Sequence, residues 1–193
     1  MIREIVHYDA PVLRAKGREI GPITPAIQSL VDNLLDTMRH ARGVGLAAQQ
    51  IGEALQMAVI DITGVKERPS KMWIKGKPVD PEAFMPLVLI NPVLKPTKTK
   101  IVSHEGCLSF PALTLDIPRA QRVAVKTRTL DGGLFEFDAG GLLSRAVLHE
   151  VDHLHGKLFI DDLSAQERRA VREDLECIKR GEPIPVRPDE NDS

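Results

Sequence analysis

The chain has 193 residues, of which 42% are hydrophobic and 27% charged, with a formal net charge of -1. That is enough chain to bury a core without disulfides or structural metals, and the near balance of charge gives no electrostatic argument for a DNA or membrane-surface partner. Two cysteines, Cys107 and Cys177, are too few for a disulfide framework, and no run approaches the roughly 18 apolar residues of a membrane span. The opening MIREIVHYDAPVLR breaks at charges and a proline before a signal-peptide core could form, so a cytoplasmic, non-secreted enzyme fits.

In chain order, the first expected element is a helix. Thr24 can cap it, Pro25 suits its first position, and Ile27, Leu30, Val31, Leu34, Leu35 and Met38 recur at helical spacing. Gly43, after Arg39 and Arg42, marks its end. GVGLAAQQIG is too rich in glycine and small residues for a second amphipathic helix, and MAVIDI reads as a buried strand. Residues 64–85, with much of the chain's Pro, Gly and Lys, read as a long surface loop. PLVLINPVL resumes a strand, at an edge or bent at Pro92. RVAVKTRTL, the turn Asp131 to Gly133 and LFEFD read as a hairpin.

Leu142 to about Leu158 is apolar on nearly every side and reads as a helix interior to the fold. A charged last helix is expected from Ser164 to Arg180, with Ala170, Val171, Leu175 and Ile178 as its inner stripe. The expected architecture is α+β: antiparallel sheets packed around a central helix, with an N-terminal and a C-terminal helix. Residues 1–180 form one expected domain and 181–193 a flexible tail.

The interior helix carries H-E-x-x-H, with His149 and His153 one turn apart and Glu150 beside the first. Both imidazoles can share a metal while Glu150 faces its water. The alternative is a surface helix that happens to carry these residues. Leu143, Ala146, Val147, Val151 and Leu154 argue against it, because buried polar groups need a partner. Such a site needs a third ligand. Phe159 excludes a histidine where the extended H-E-x-x-H-x-x-G-x-x-H pattern would place one. Glu173 and Glu176 lie at a peptidase-like distance, but in a helix dense with Glu and Arg, where solvated i,i+4 pairs are the plainer reading. Cys107, in SHEGCLSFP, is the favoured third ligand, since thiolate plus two imidazoles suits zinc or iron. Cys177 reads as a buried small hydrophobe.

Three segments then coincide in order: GVGLAAQQ (Gly43 to Gln50), EGCLS (Glu105 to Ser109) and HEVDH. Together they resemble the peptide deformylase family over residues 1 to about 165. The resemblance implies a hydrolase that removes the N-formyl group from the initiator methionine of nascent bacterial or organellar polypeptides near the ribosome exit. It implies one divalent metal, natively Fe(II), with zinc, nickel or cobalt able to substitute, held by Cys107, His149 and His153. Glu150 would act as general base and acid, and Gln50 with the Leu108 N–H would stabilise the oxyanion. The peptide would pair with the backbone at Val44 and Gly45, and Val44, Leu142, Ala146 and the His149 ring would line the methionine pocket. Glu105 and Arg145 would hold the motif segments together. Asp152 is given no catalytic role, and His7, His40, His104 and His155 are given none either. The chain departs from many members at Leu148, where glutamine is common, at Thr114 or Leu115, where some carry arginine, and in the long 64–85 segment. Arg119 remains.

Overall fold

The computed structural model describes residues 1–185. Nine strands form two antiparallel sheets, and four helices pack on them. The larger sheet runs in the order β1-β2-β5-β8-β9-β3-β4, and β6 pairs with β7 in a separate long hairpin. This is the α+β class with antiparallel sheets that the sequence leads one to expect.

The first helix, α1 (Pro25–His40), is capped by Thr24, whose hydroxyl accepts from the Ile27 N–H. Leu30, Val31, Leu34 and Met38 form its buried stripe. The helix ends at Gly43 as expected, the Gly43 N–H donating to Met38 O at 2.9 Å, but the left-handed residue is Arg42 (φ 56). The next segment forms the short edge strand β1 (Gly45–Ala47), followed by a 3-10 turn over Ala48–Ile51. In β2 (Met57–Ile60) every residue is buried. Met57 and Val59 pack with α1, while Ala58 and Ile60 pack on the other side of the sheet. A strand covered on both faces has no polar side to alternate with, which is why MAVI reads as a continuous apolar run.

The 64–85 segment is not a loop. It contains β3 (Ser70–Ile74), β4 (Lys77–Val79) and a 3-10 turn over Pro81–Phe84. Lys75 and Gly76 both have positive φ, the requirement of a two-residue hairpin turn matched to strand twist. Lys-Gly is a weaker written signal for that turn than Asn-Gly or Asp-Gly, and the flanking lysines mask the strand. Met72 nevertheless enters the core, and β3 pairs with β9 (Leu134–Gly141).

Strand β5 (Leu87–Pro96) is interior, between β2 and β8 (Arg122–Arg128), so Pro92 marks a bend and not an edge. Register shifts between Ile90 and Val93, and Asn91 adopts φ 48 there, its amide bonding to the Ile20 backbone. The β8–β9 hairpin forms as expected, turning at Gly132.

The hairpin strands β6 (Lys100–Cys107) and β7 (Phe110–Ala120) carry Phe110, Leu113 and Ile117, which pack with Leu158, Phe159, Ile160 and the last helices. Those are two: α3 (Ala165–Ala170), capped by Ser164 and Glu167, and α4 (Arg172–Lys179). The expected single helix breaks at Val171 (φ -99, ψ 7), whose side chain is buried, and Ala170 is exposed. Of the expected tail, Ile184 packs against this same cluster, and residues 186–193 lie outside the described residues.

The remaining helix, α2 (Leu142–Leu154), stops at His155 and Gly156 (φ 70), four residues earlier than expected. It packs against β1, β2, β3 and β9 of the large sheet and against β7 of the hairpin. Its residue before the first turn, Gly141, has φ 64 and no side chain with which to cap it. The cap comes from far along the chain: Leu142 N–H donates to Pro69 O at 3.3 Å, and Leu143 N–H to Ser70 Oγ at 3.1 Å.

Candidate metal centre and catalytic cleft

One side of α2 is apolar: Leu143, Val147, Val151 and Leu154 pack into the sheet core. Arg145, His149 and His153 lie on the other, Glu150 borders the apolar stripe where it meets β1, and all four are buried as well. These four polar groups are held out of water, so each needs a partner.

The hairpin supplies most of them. Glu105, on β6, places Oε1 2.7 Å from His149 Nδ1 and 2.7 Å from Arg119 Nη2, and Oε2 2.8 Å from Arg145 Nη1. Arg119 grips the same carboxylate a second time through Nε at 3.1 Å, and its Nη1 donates to Asp152. Burial alone would raise the Glu105 pKa. The hydrogen bonds and charges of His149 and Arg119 outweigh it and hold the carboxyl well below the usual carboxylate range.

This contact fixes the chemistry of His149. With Nδ1–H committed to Glu105, Nε2 is the nitrogen left free to hold a metal, and the ring is in contact with the Cys107 sulfur. Burial opposes a positive charge on His149, but the Cys107 sulfur, Glu105 and Glu150 raise its pKa well above normal. His153 Nε2 lies 3.3 Å from Cys107 Sγ. Burial and the charges of His149 and Arg119 push the His153 pKa down, which favours the neutral ring that a metal needs.

Sulfur and the two imidazoles offer ligand atoms all within 4.8 Å of one another, and no other such group of three occurs among the described residues. A soft thiolate with two imidazoles fits a divalent metal of the zinc or iron class. Glu173 and Glu176 are exposed on α4 and take no part. Glu150, fully buried, has its carboxyl pushed up to about 7, mainly by desolvation, with His149 pulling the other way. Its Oε2 has no hydrogen-bond partner in the protein.

A cleft of about 460 Å³ opens on this centre, between β1 on one side and the β6–β7 hairpin on the other. Its lining includes Val44, Gly45, Gln50, Cys107, Leu108, Leu142, Ala146, His149 and Glu150. These are all the anticipated site residues except His153, which is 1% exposed and lies beneath the sulfur. Gln50 is pinned by its own turn. Its Oε1 accepts from Ala47 N–H at 2.9 Å, while Nε2 donates to Ser109 Oγ at 3.2 Å and Cys107 Sγ at 3.5 Å.

Two glycines make the approach possible. A Cβ on Gly45 would stand 2.8 Å from Glu150 Cδ and closer still to its Oε1, and one on Gly43 would stand 2.7 Å from Leu108 Cδ1. Gly43 both closes the end of α1, its N–H donating to Met38 O at 2.9 Å, and leaves room for the Leu108 side chain.

The sequence reading did not find the Arg119–Asp152 ion pair, nor the two exposed arginines, Arg42 and Arg68, that line the cleft. No local pattern joins Arg119 to Asp152. The hairpin register brings Arg119 opposite Ile101, four residues from Glu105, and packing on α2 does the rest. No described helix is long and apolar enough to cross a membrane.

A family model described as polypeptide deformylase matches residues 2–169. The peptide deformylase of Methylacidiphilum infernorum is 54% identical over 184 residues, covering 95% of this chain and 96% of that protein. That of Opitutus terrae is 37% identical, covering 93% and 94%. Among solved structures, the peptide deformylase of Legionella pneumophila superposes with a TM-score of 0.78 at 36% identity, covering 93% of this chain and 96% of that one. A family match over most of the chain agrees with a sulfur and two imidazoles gathered beside a buried glutamate, and the chain belongs to the peptide deformylase family.

Proposed function

We propose that this protein is a metal-dependent hydrolase that removes the formyl group from the N-terminal formyl-methionine of nascent polypeptides, releasing formate. The observation that carries the proposal is Cys107 against both α2 histidines, with Glu150 in the same cleft. We assign Cys107, His149 and His153 as the metal ligands. Fe(II) is the native metal we propose, on the family resemblance, and zinc, nickel or cobalt suit the same donors. Bound there, the metal supplies Lewis acidity, lowering the pKa of a water and polarising the formyl carbonyl.

Glu150 takes the proton as the water oxygen attacks the formyl carbon, then delivers it to the nitrogen as the C–N bond breaks. Formate and a free α-amine result. A carboxyl pushed up to about 7 is matched to giving and taking a proton near neutral pH. Gln50 Nε2 and the Leu108 N–H are the proposed oxyanion donors. Of the two Gln50 contacts, the longer one, to sulfur, is the weaker and is the one we assign to be exchanged for the oxyanion. The segment entering edge strand β1 offers its main chain at Val44 and Gly45 to an extended peptide, and Val44, Leu142, Ala146 and the His149 ring take the methionine side chain. Main-chain pairing ignores side-chain identity, which suits a substrate as varied as the nascent proteome.

We further propose that residues 1–180 act as one catalytic domain built around the H-E-x-x-H helix, working near the ribosome exit in the bacterial cytoplasm or an organelle. The test is formate release from a formyl-methionyl peptide by anaerobically purified protein, alongside Glu150→Ala. Wild type should turn over, and the variant should lose about 10²–10⁴-fold in kcat while retaining metal. An inactive wild type at full metal occupancy would overturn the proposal.

A further inference from the structure

The charges lining the cleft divide into two groups. At its inner end, Glu105 is bonded to both Arg145 and His149, and Glu150 sits at the reaction centre. At its outer part stand Arg42 and Arg68, from two elements distant in sequence. Arg42 directly precedes Gly43 on the β1 side. Arg68, in the segment leading into β3, is tied across the hairpin: its Nη2 donates to His104 O at 3.0 Å and to Ser103 Oγ at 3.4 Å. Both arginines are exposed, and neither forms an ion pair among the described residues.

The nearby carboxylates are committed elsewhere. Asp116 pairs with His104 at 2.7 Å and Asp61 with Arg39 at 3.3 Å, and neither lines the cleft. Glu67 borders the adjoining cavity of about 330 Å³, which Arg68 lines as well, and does not line this one. Among the described residues the lining of this cleft holds no carboxylate besides the buried Glu105 and Glu150, so its mouth presents two exposed guanidinium groups.

Their spacing indicates which part of a substrate they meet. Gly45 touches the Glu150 end, and Arg42 lies three residues before it, past a left-handed turn at Arg42 itself (φ 56), so its Cα stands within about 10 Å of Gly45. A peptide paired with β1 and anchored by its formyl-methionine brings its next two side chains into that range.

We propose that Arg42 and Arg68 make the enzyme favour formyl-methionyl chains with an acidic residue in the two positions after methionine, an inference that rests on the deformylase reading above. The selection acts through binding and encounter, so it falls on KM more than on kcat and weakens with salt. Guanidinium presents a fork of donors matched to a carboxylate, while exposure limits the gain to about 1.5- to 5-fold for each arginine.

The test uses metal-loaded full-length protein and formyl-methionyl tripeptides with amidated C-termini, which removes the terminal carboxylate. Asp, Gln or Lys is placed at the second or third position. Expected kcat/KM runs Asp above Gln above Lys, the spread narrows at high ionic strength, Arg42→Glu or Arg68→Glu lowers the Asp-to-Lys ratio toward one, and the double reversal inverts it. Equal values for the three peptides, or a ratio unmoved by both charge reversals, would overturn the proposal while leaving deformylation intact. If the Gln peptide itself released no formate, the deformylase reading would fail and this inference with it.

Discussion

The seven-stranded sheet and the β6–β7 hairpin hold opposite sides of α2 by different physics. The sheet buries Leu143, Val147, Val151 and Leu154 in an apolar core, where burial is non-directional and the partner's identity matters less than its volume. The hairpin meets Arg145 and His149 with Glu105 and Arg119, where geometry and charge sign decide everything. A buried ion cluster of this kind is weak evidence for stability, because desolvation offsets much of the Coulomb attraction. Its effect is orientation: Glu105 fixes the His149 tautomer and so the nitrogen left for a metal. The sheet side keeps the helix in place and the hairpin side makes it reactive.

The division should show in variants, beginning with the largest effect. Gly45→Ala sits on the sheet side yet reaches the chemistry, because its Cβ would drive into the Glu150 carboxylate. We expect about a 10²-fold fall in kcat from the displaced base, with metal content unchanged in elemental analysis. Glu105→Gln, on the hairpin side, should weaken metal affinity about 10- to 100-fold, read by competition with a chelator. A Glu105→Gln protein that kept native affinity would show that the ion cluster does not orient His149. Leu143→Ala removes a side chain with no exposed surface, on the sheet side alone. It should cost about 2–5 kcal/mol in denaturant unfolding while the kcat of folded protein stays the same. Loss of metal from the folded variant would mean the two sides are not separable.

The smallest effect tests the outer fringe of the hairpin cluster. Asp161 accepts from Arg14 Nη1 at 2.7 Å and from the Leu158 N–H at 2.9 Å. Partial burial opposes ionisation, but these bonds and the charges of Arg14 and Arg168 hold its pKa below normal. A depressed folded pKa adds stability above the unfolded value near 4 and loses it as pH falls through the folded one. Asp161→Asn should therefore remove less than about 1 kcal/mol at neutral pH and flatten the acid limb of the stability profile.

How much of this was legible in sequence follows the same division. His149, Glu150 and His153 stand out by spacing, Cys107 by its surroundings and Gln50 by the resemblance of its segment to the family, and the structure brings all five to one centre. Helix α1 and the β8–β9 hairpin declared themselves by period and turn residues. The β3–β4 hairpin did not, since Lys75-Gly76 lies among lysines and the strand's inward face shows little beyond Met72. The start of α2 was hidden for another reason: its cap, Ser70, lies 73 residues earlier in the chain. Arg119 was invisible as a site residue because hairpin register, and no motif, brings it to Glu105. Local patterns report what one segment does; partners chosen by packing leave no local trace.

The central claim is that one metal is shared by α2 and the hairpin, and Cys107→Ala measured for bound metal and formate release together tests it most directly. The account predicts that metal content, one per chain in wild type, falls in the variant and that formate release is lost with it. A variant that kept its full complement of metal and its activity would contradict the account and return the third ligand to α4.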